Sequence, residues 1–114
     1  MSGLELQCPN GRRLAIDEKG YLLDYSDWSP EVAKTMAEKD GIQLNEDHWV
    51  VLDIFRVYFE SYEIEPPMRA LIKLSRERLG DEKGNSRHLY RLFPNGPGIQ
   101  ACRYAGLPRP LSCV

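Results

Sequence analysis

Polar and apolar residues alternate one by one at the start of the chain, in Leu4-Glu5-Leu6-Gln7 and again in Arg13-Leu14-Ala15-Ile16. That is the period of a half-buried strand. Pro9-Asn10-Gly11 lies between the two stretches, and Asn-Gly tolerates the positive φ of a tight turn, so a β-hairpin is predicted over about residues 4–16. Asp17-Glu18-Lys19-Gly20 reads as a second turn leading to a third short strand at Tyr21-Leu22-Leu23. Two or three short strands cannot hold a core alone and must pack on the remainder of the chain.

From Ser29 the period becomes helical. Ser29-Pro30-Glu31 supplies a cap residue, a proline at the first helical position and an acidic first turn. Val32 with Met36 and Ala33 with Ala37 then repeat at four-residue spacing until Gly41. Asn45-Glu46-Asp47 begins a longer helix through about Tyr62, apolar around more than one face through Trp49, Leu52, Phe55, Val57 and Phe59, as expected of the central helix. Pro66-Pro67 opens a third, carrying Met68, Leu71, Ile72 and Leu79 before Gly80. Asn85 or Ser86 caps a fourth with Leu89, Tyr90, Leu92 and Phe93, where Tyr90 and Phe93 read as core, and Pro94 stops it. A fifth runs from Pro97 to Ala105 and ends at Gly106. Residues 107–114 hold two prolines in eight positions, which excludes a helix and predicts an extended, mobile arm after one domain spanning 1–106.

With 114 residues, 42% hydrophobic and 28% charged, the chain suits one compact domain and is a poor candidate for global disorder. No apolar run approaches the roughly 20 residues of a bilayer span, so direct membrane insertion is not expected. The first residues lack a basic-then-apolar leader pattern, and a cytoplasmic location is the expectation. The net charge of −2 hides an asymmetry. All 17 acidic residues lie in 1–85, whereas 86–114 holds Arg87, Arg91, Arg103 and Arg109 and no Asp or Glu. Such a basic end could steer anions or an acidic partner, or merely stay solvated.

Three cysteines, Cys8, Cys102 and Cys113, are an odd number with no CxxC pair, and neither His48 nor His88 stands at ligand spacing from any of them. A disulfide scaffold and a zinc site are therefore both unsupported, and no metal or cofactor is expected. Cys8 reads as a small buried residue or a turn residue. Cys102 falls about one turn before Gly106, and Cys113 seven residues after it. Extended, those seven residues reach roughly 23–25 Å, enough to enter a partner's active site. Bent at the prolines, they could return Cys113 to Cys102. A terminal thiol that can protrude or be resolved internally suits a sulfur carrier. The spacing equally allows an incidental tail cysteine and a packed helix cysteine.

Lys83-Gly84-Asn85-Ser86, Leu89-Tyr90-Arg91-Leu92-Phe93-Pro94, Gly96-Pro97, Gln100-Ala101-Cys102, Ala105-Gly106-Leu107-Pro108-Arg109-Pro110 and the ending Cys113-Val114 closely resemble the DsrC/TusE family of sulfur-carrier proteins. Asp17-Glu18-Lys19-Gly20-Tyr21-Leu22, Asp27-Trp28, Gly41-Ile42 and His48-Trp49 extend the resemblance over nearly the whole chain. It implies a mainly α fold: a small orthogonal helical bundle with an N-terminal β-hairpin, a helix-turn-helix-like unit and a flexible C-terminal arm. It implies sulfur carried on Cys113. The additional Cys102 points toward the members that serve dissimilatory sulfite reductase, in which two cysteines can hold sulfur as a trisulfide and are recycled by a membrane-linked thiol–disulfide redox complex. Members of tRNA 2-thiouridine relays, which pass sulfur among carrier proteins, generally keep the penultimate cysteine alone. Arg91, Arg103 and Arg109 are candidate guides for an anionic sulfur species or a partner, although Arg91 and Arg103 also read as solvent-facing. From another class, the helix-turn-helix suggests a DNA-binding regulator, with Arg69, Lys73, Arg76 and Arg78 as its only basic face.

Overall fold

The computed structural model describes residues 4–109. Two antiparallel strands, β1 (Leu4–Gln7) and β2 (Arg13–Ile16), precede α1 (Pro30–Lys39), α2 (Glu46–Tyr62), α3 (Met68–Leu79), α4 (Ser86–Leu92) and α5 (Pro97–Tyr104). The chain is thus mainly helical with an N-terminal hairpin, as its periodicity requires. Leu6 pairs with Leu14 across the hairpin, and both point into the core. The expected third strand is reduced to a single bridge between Ile16 and Leu22, followed by a short 3₁₀ turn at Tyr25–Asp27. Tyr21 and Leu22 are buried there as core side chains, so packing holds this segment together with the backbone bonds Asp17 N–H to the Tyr21 carbonyl and Leu23 N–H to the Ala15 carbonyl.

Helix ends follow local chemistry. Asn45 accepts from the His48 N–H while the His48 ring accepts from the Asn45 N–H, a reciprocal capping box. Asn85, rather than Ser86, caps α4 by accepting from the His88 N–H. Ser29 occupies the cap position of α1, but its side chain makes no capping bond. In α2 the buried side chains are His48, Val51, Leu52, Ile54 and Phe55, while Val57 on the far face is exposed. Only the first half of that helix is therefore enclosed. Tyr90 is half exposed, contrary to its reading as core; on α4 it faces away from the buried Leu89 and Leu92, whereas Phe93 is fully enclosed.

The helix that organises the core is α5. It packs on α1, α2 and α4, and its Gln100, Ala101, Cys102 and Tyr104 are all buried. The α3–turn–α4 unit is present as expected. Its turn closes tightly because a Cβ on Gly84 would overlap the Arg76 backbone, so only glycine fits.

A candidate sulfur-transfer site at the end of helix α5

Gly106 takes φ +80°, and the Leu107 N–H bonds back to the Cys102 carbonyl while the Gly106 N–H bonds to that of Arg103. This is the Schellman ending that a glycine after a helix predicts. It reverses the chain onto the helix just left. Leu107 is consequently buried in the core, and the Pro108 carbonyl oxygen lies 3.6 Å from the Cys102 Sγ. Cys102 itself is fully enclosed.

Long-range contacts fix this reversal. A Cβ on Gly106 would lie 2.5 Å from the Trp28 ring. The Trp28 indole donates to the Tyr104 carbonyl at 2.7 Å, and Arg56 donates to the Ala105 carbonyl at 2.8 Å. Arg56 also lies over the Trp28 and Tyr25 rings, 4.0 and 4.3 Å from their centroids. Two of the carbonyls left over at the end of α5 are thereby satisfied by side chains from α2 and the segment before α1. Burial, with the phenol donating a hydrogen bond to Glu60, pushes the Tyr25 phenol up to about 12.

On the opposite side, Asp40 at the end of α1 accepts from Arg103 and, at 2.5 Å, from the Tyr104 hydroxyl. Gln100 donates to that hydroxyl at 2.9 Å. Burial, followed by the adjacent Asp40 carboxylate, raises the Tyr104 phenol well above its ordinary value, so it stays a neutral donor. Arg109 reaches the Asp17-to-Gly20 turn, donating to Asp17 at 3.1 Å and to Glu18 at 3.4 Å. The other Asp17 oxygen accepts from the backbone N–H groups of Lys19 and Tyr21. Burial works against the Asp17 charge, but those two N–H groups and the Arg109 guanidinium outweigh it and hold the carboxyl below its ordinary range.

Of the site residues read from the sequence, Cys102, Arg103 and Arg109 come together around the end of α5. Arg103 is not solvent-facing but turned onto Asp40, because Asp40 and Tyr104 close over it. Residues 107–109, expected to begin a free arm, are held by Leu107 and Arg109. Arg91 joins neither group; it stands exposed on α4 with no ion pair among the described residues. Cys8 is buried in the hairpin turn, its N–H bonded to the Arg12 carbonyl. Cys113 lies outside the described residues. The sequence does not single out Asp17, Asp40, Tyr104 or Arg56. Asp17 has a visible signal, a turn motif, but its partner is 92 positions away. Among the described residues no group of three or more His, Cys, Asp or Glu side chains is arranged to hold a metal ion. Nor is any described helix long and apolar enough to cross a membrane.

Fold and site together define a class: a small helical domain in which residues 107–109, just after the last helix, turn back over a buried cysteine on that helix. The chain belongs to the DsrC-like protein family, whose profile matches residues 9–114. It is 45% identical over 104 residues to the sulfurtransferase TusE of Pectobacterium atrosepticum, covering 91% of this chain and 95% of that protein. Among solved structures it resembles DsrC of Allochromatium vinosum, with 47% identity and a TM-score of 0.83 over 97% of this chain and 100% of that one. It also resembles the oxidised gamma subunit of dissimilatory sulfite reductase from Archaeoglobus fulgidus, with 38% identity and a TM-score of 0.87 at the same coverage.

Proposed function

We propose that the protein is a cytoplasmic sulfur carrier in which Cys113 holds sulfur as a persulfide and Cys102 is the resolving thiol, acting as a co-substrate of dissimilatory sulfite reductase rather than as an autonomous enzyme. One observation carries this reading: the segment that ends at Cys113 starts by folding over Cys102, with the Pro108 carbonyl 3.6 Å from its Sγ. The gamma-subunit and DsrC relatives support the choice of partner. Attack of the Cys102 thiolate on the inner sulfur of the Cys113 persulfide forms a Cys102–Cys113 disulfide and expels hydrosulfide. Two electrons and two protons from a dithiol donor then restore both thiols. Membrane-linked thiol–disulfide complexes are a natural source of such a donor, while siroheme and iron–sulfur centres belong to the reductase. The TusE relatives favour a second reading, a relay to a tRNA-thiolating enzyme, which needs Cys113 alone.

Incubation with a sulfur donor, followed by non-reducing peptide mass analysis, tests the carrier chemistry. The peptide containing Cys113 is expected to gain units of about 32 Da, and Cys113→Ala to lose them with the fold intact. Full-yield loading on Cys102 or Cys8 instead would overturn the assignment. Cys102→Ala separates the two readings. Coupling to sulfite reductase is lost if Cys102 resolves the persulfide, whereas a tRNA relay continues.

A further inference from the structure

The outer seam between α1 and α2 holds a groove that the cysteine chemistry does not use. Trp49, Leu52, Asp53 and Arg56 stand at i, i+3, i+4 and i+7 of α2 and so share one face, while Pro30, Lys34 and Glu38 repeat at four-residue spacing along α1. Both helices pack on α5, and the depression between these two stripes has two lobes. The first, of about 430 Å³, runs between Trp28 and Trp49 over Leu52 and is edged by Lys34, Asp53 and Arg56. The second, of about 490 Å³, continues it past Lys34 and Trp49 to Glu38 and residues 41–44. Each lobe has the size of a ligand cavity.

Trp28 and Trp49 pack against the core but stay only partly covered, and Leu52 is buried beneath them. Lys34 is exposed, with no ion pair among the described residues. Arg56 gives an N–H to the Ala105 carbonyl and lies over the Trp28 and Tyr25 rings, but it too meets no carboxylate among the described residues. Asp53, the carboxylate of the first lobe, is already bonded to Arg78 at 2.8 Å. That lobe therefore presents two cations without counter-charges around two aromatic rings. Glu38 reverses the sign in the second lobe. A fitting occupant has an apolar side chain for the tryptophan-lined floor and isolated carboxylates for Lys34 and Arg56. A nucleic-acid strand would also stack on the rings, but its unbroken row of phosphates would run onto Glu38, in a region that holds all 17 acidic side chains of the chain. A peptide can confine its negative charge to the first lobe.

We propose that this groove is a docking site for an acidic, apolar peptide segment of a partner protein, with its carboxylates on Lys34 and Arg56 and an aromatic or aliphatic side chain between Trp28 and Trp49. Trp28 and Arg56 also bond the Tyr104 and Ala105 carbonyls, so a segment seated there lies against the end of the helix that carries Cys102. Binding requires no cysteine and is independent of the sulfur-carrier reading.

Trp28 and Trp49 are the only tryptophans in the chain, so their fluorescence reports occupancy of the groove directly. The full-length, reduced protein is titrated with the end-blocked peptide Gly-Glu-Phe-Leu-Glu-Gly and with counterparts carrying glutamine or lysine in place of both glutamates. The glutamate peptide should shift the emission and bind about five-fold more tightly than the glutamine peptide, and the lysine peptide should bind most weakly. Salt at about 0.5 M should erase the difference between the first two. Lys34→Glu, at an exposed position, should abolish the preference for the acidic peptide and improve binding of the lysine one, which a merely structural effect would not do. Trp49→Leu keeps an apolar floor and should weaken the glutamate and glutamine peptides alike by about ten-fold, read from Trp28. An emission that no peptide shifts, equal affinity for the three peptides, or an acidic preference that survives Lys34→Glu overturns the docking assignment. So does tighter binding of single-stranded oligouridylate, which would make the groove a nucleic-acid site, or an emission shift with protein concentration alone, which would give it to a second copy of the chain.

Discussion

Around α5, Arg103 and Arg109 are drawn onto carboxylates distant in sequence, Asp40 and Asp17. On α3 and α4, by contrast, Arg69, Lys73, Arg87 and Arg91 stand in solvent with no ion pair among the described residues. In the sequence, the four arginines after residue 85 look alike, an acid-free basic end. Folding divides them. Two neutralise acids of the domain, Arg109 thereby holding residues 107–109 in place, and two stay exposed on α4. Arg87 and Arg91 are thus the exposed charges of the basic end, and Arg103 and Arg109 the paired ones. What decides the use of a charge is the location of its counter-charge after packing, and local sequence does not record it.

The sharpest way to break the contrast is at Gly106. Alanine there meets the Trp28 ring at 2.5 Å and is forced to φ +80°. The expected loss is about 2–4 kcal/mol in denaturant unfolding. In α5 itself Gly98→Ala, with nothing within 4 Å of its Cβ, should be neutral or stabilising. A smaller effect sharpens the comparison of arginines. Arg103→Gln leaves Asp40 sharing only Tyr104 and Gln100 and should cost about 1–2 kcal/mol. Arg87→Gln and Arg91→Gln should each change stability by less than about 0.5 kcal/mol, yet slow association with an acidic partner at low salt.

The smallest effect lies at the joint between the two regions. His48 on α2 donates its Nε2–H to the Leu92 carbonyl at the end of α4 while Nδ1 accepts from Asn45. Burial holds its pKa below the ordinary 6.5, against the opposing influence of the Leu92 bond and of Asp47. The unfolded chain therefore takes up this proton first. Stability is full above pH 6.5 and declines as pH falls from there toward the folded value, with a slope bounded by about 1.4 kcal/mol per pH unit. His48→Gln, which can still donate to Leu92, should remove that part of the decline in urea titrations at pH 7 and 5.5.

The hairpin, the five helices and most of their ends are legible from residues within a few positions of one another. Asn45 and Asn85 announce caps, and Gly41, Gly80 and Gly106 announce stops, because those signals depend on the backbone within a single turn. The family motifs likewise mark Cys102 and Cys113 without any geometry. Tyr90 and Val57 lie outside the core that their apolar character suggests, because that character on a short or two-sided helix does not say which face will be covered.

The sequence alone determined the period of each element, the turn after α5 and the chemistry available at its end. Tertiary structure decided that this turn would be locked. Trp28 had to arrive over Gly106, Asp40 beside Tyr104, and the Asp17 turn beneath Arg109, from segments 64 to 92 positions away. Those meetings depend on how α1, α2 and the hairpin pack around α5. Packing is a property of the assembled core, in which each side chain's position is set by all its neighbours at once rather than by its own stretch of chain.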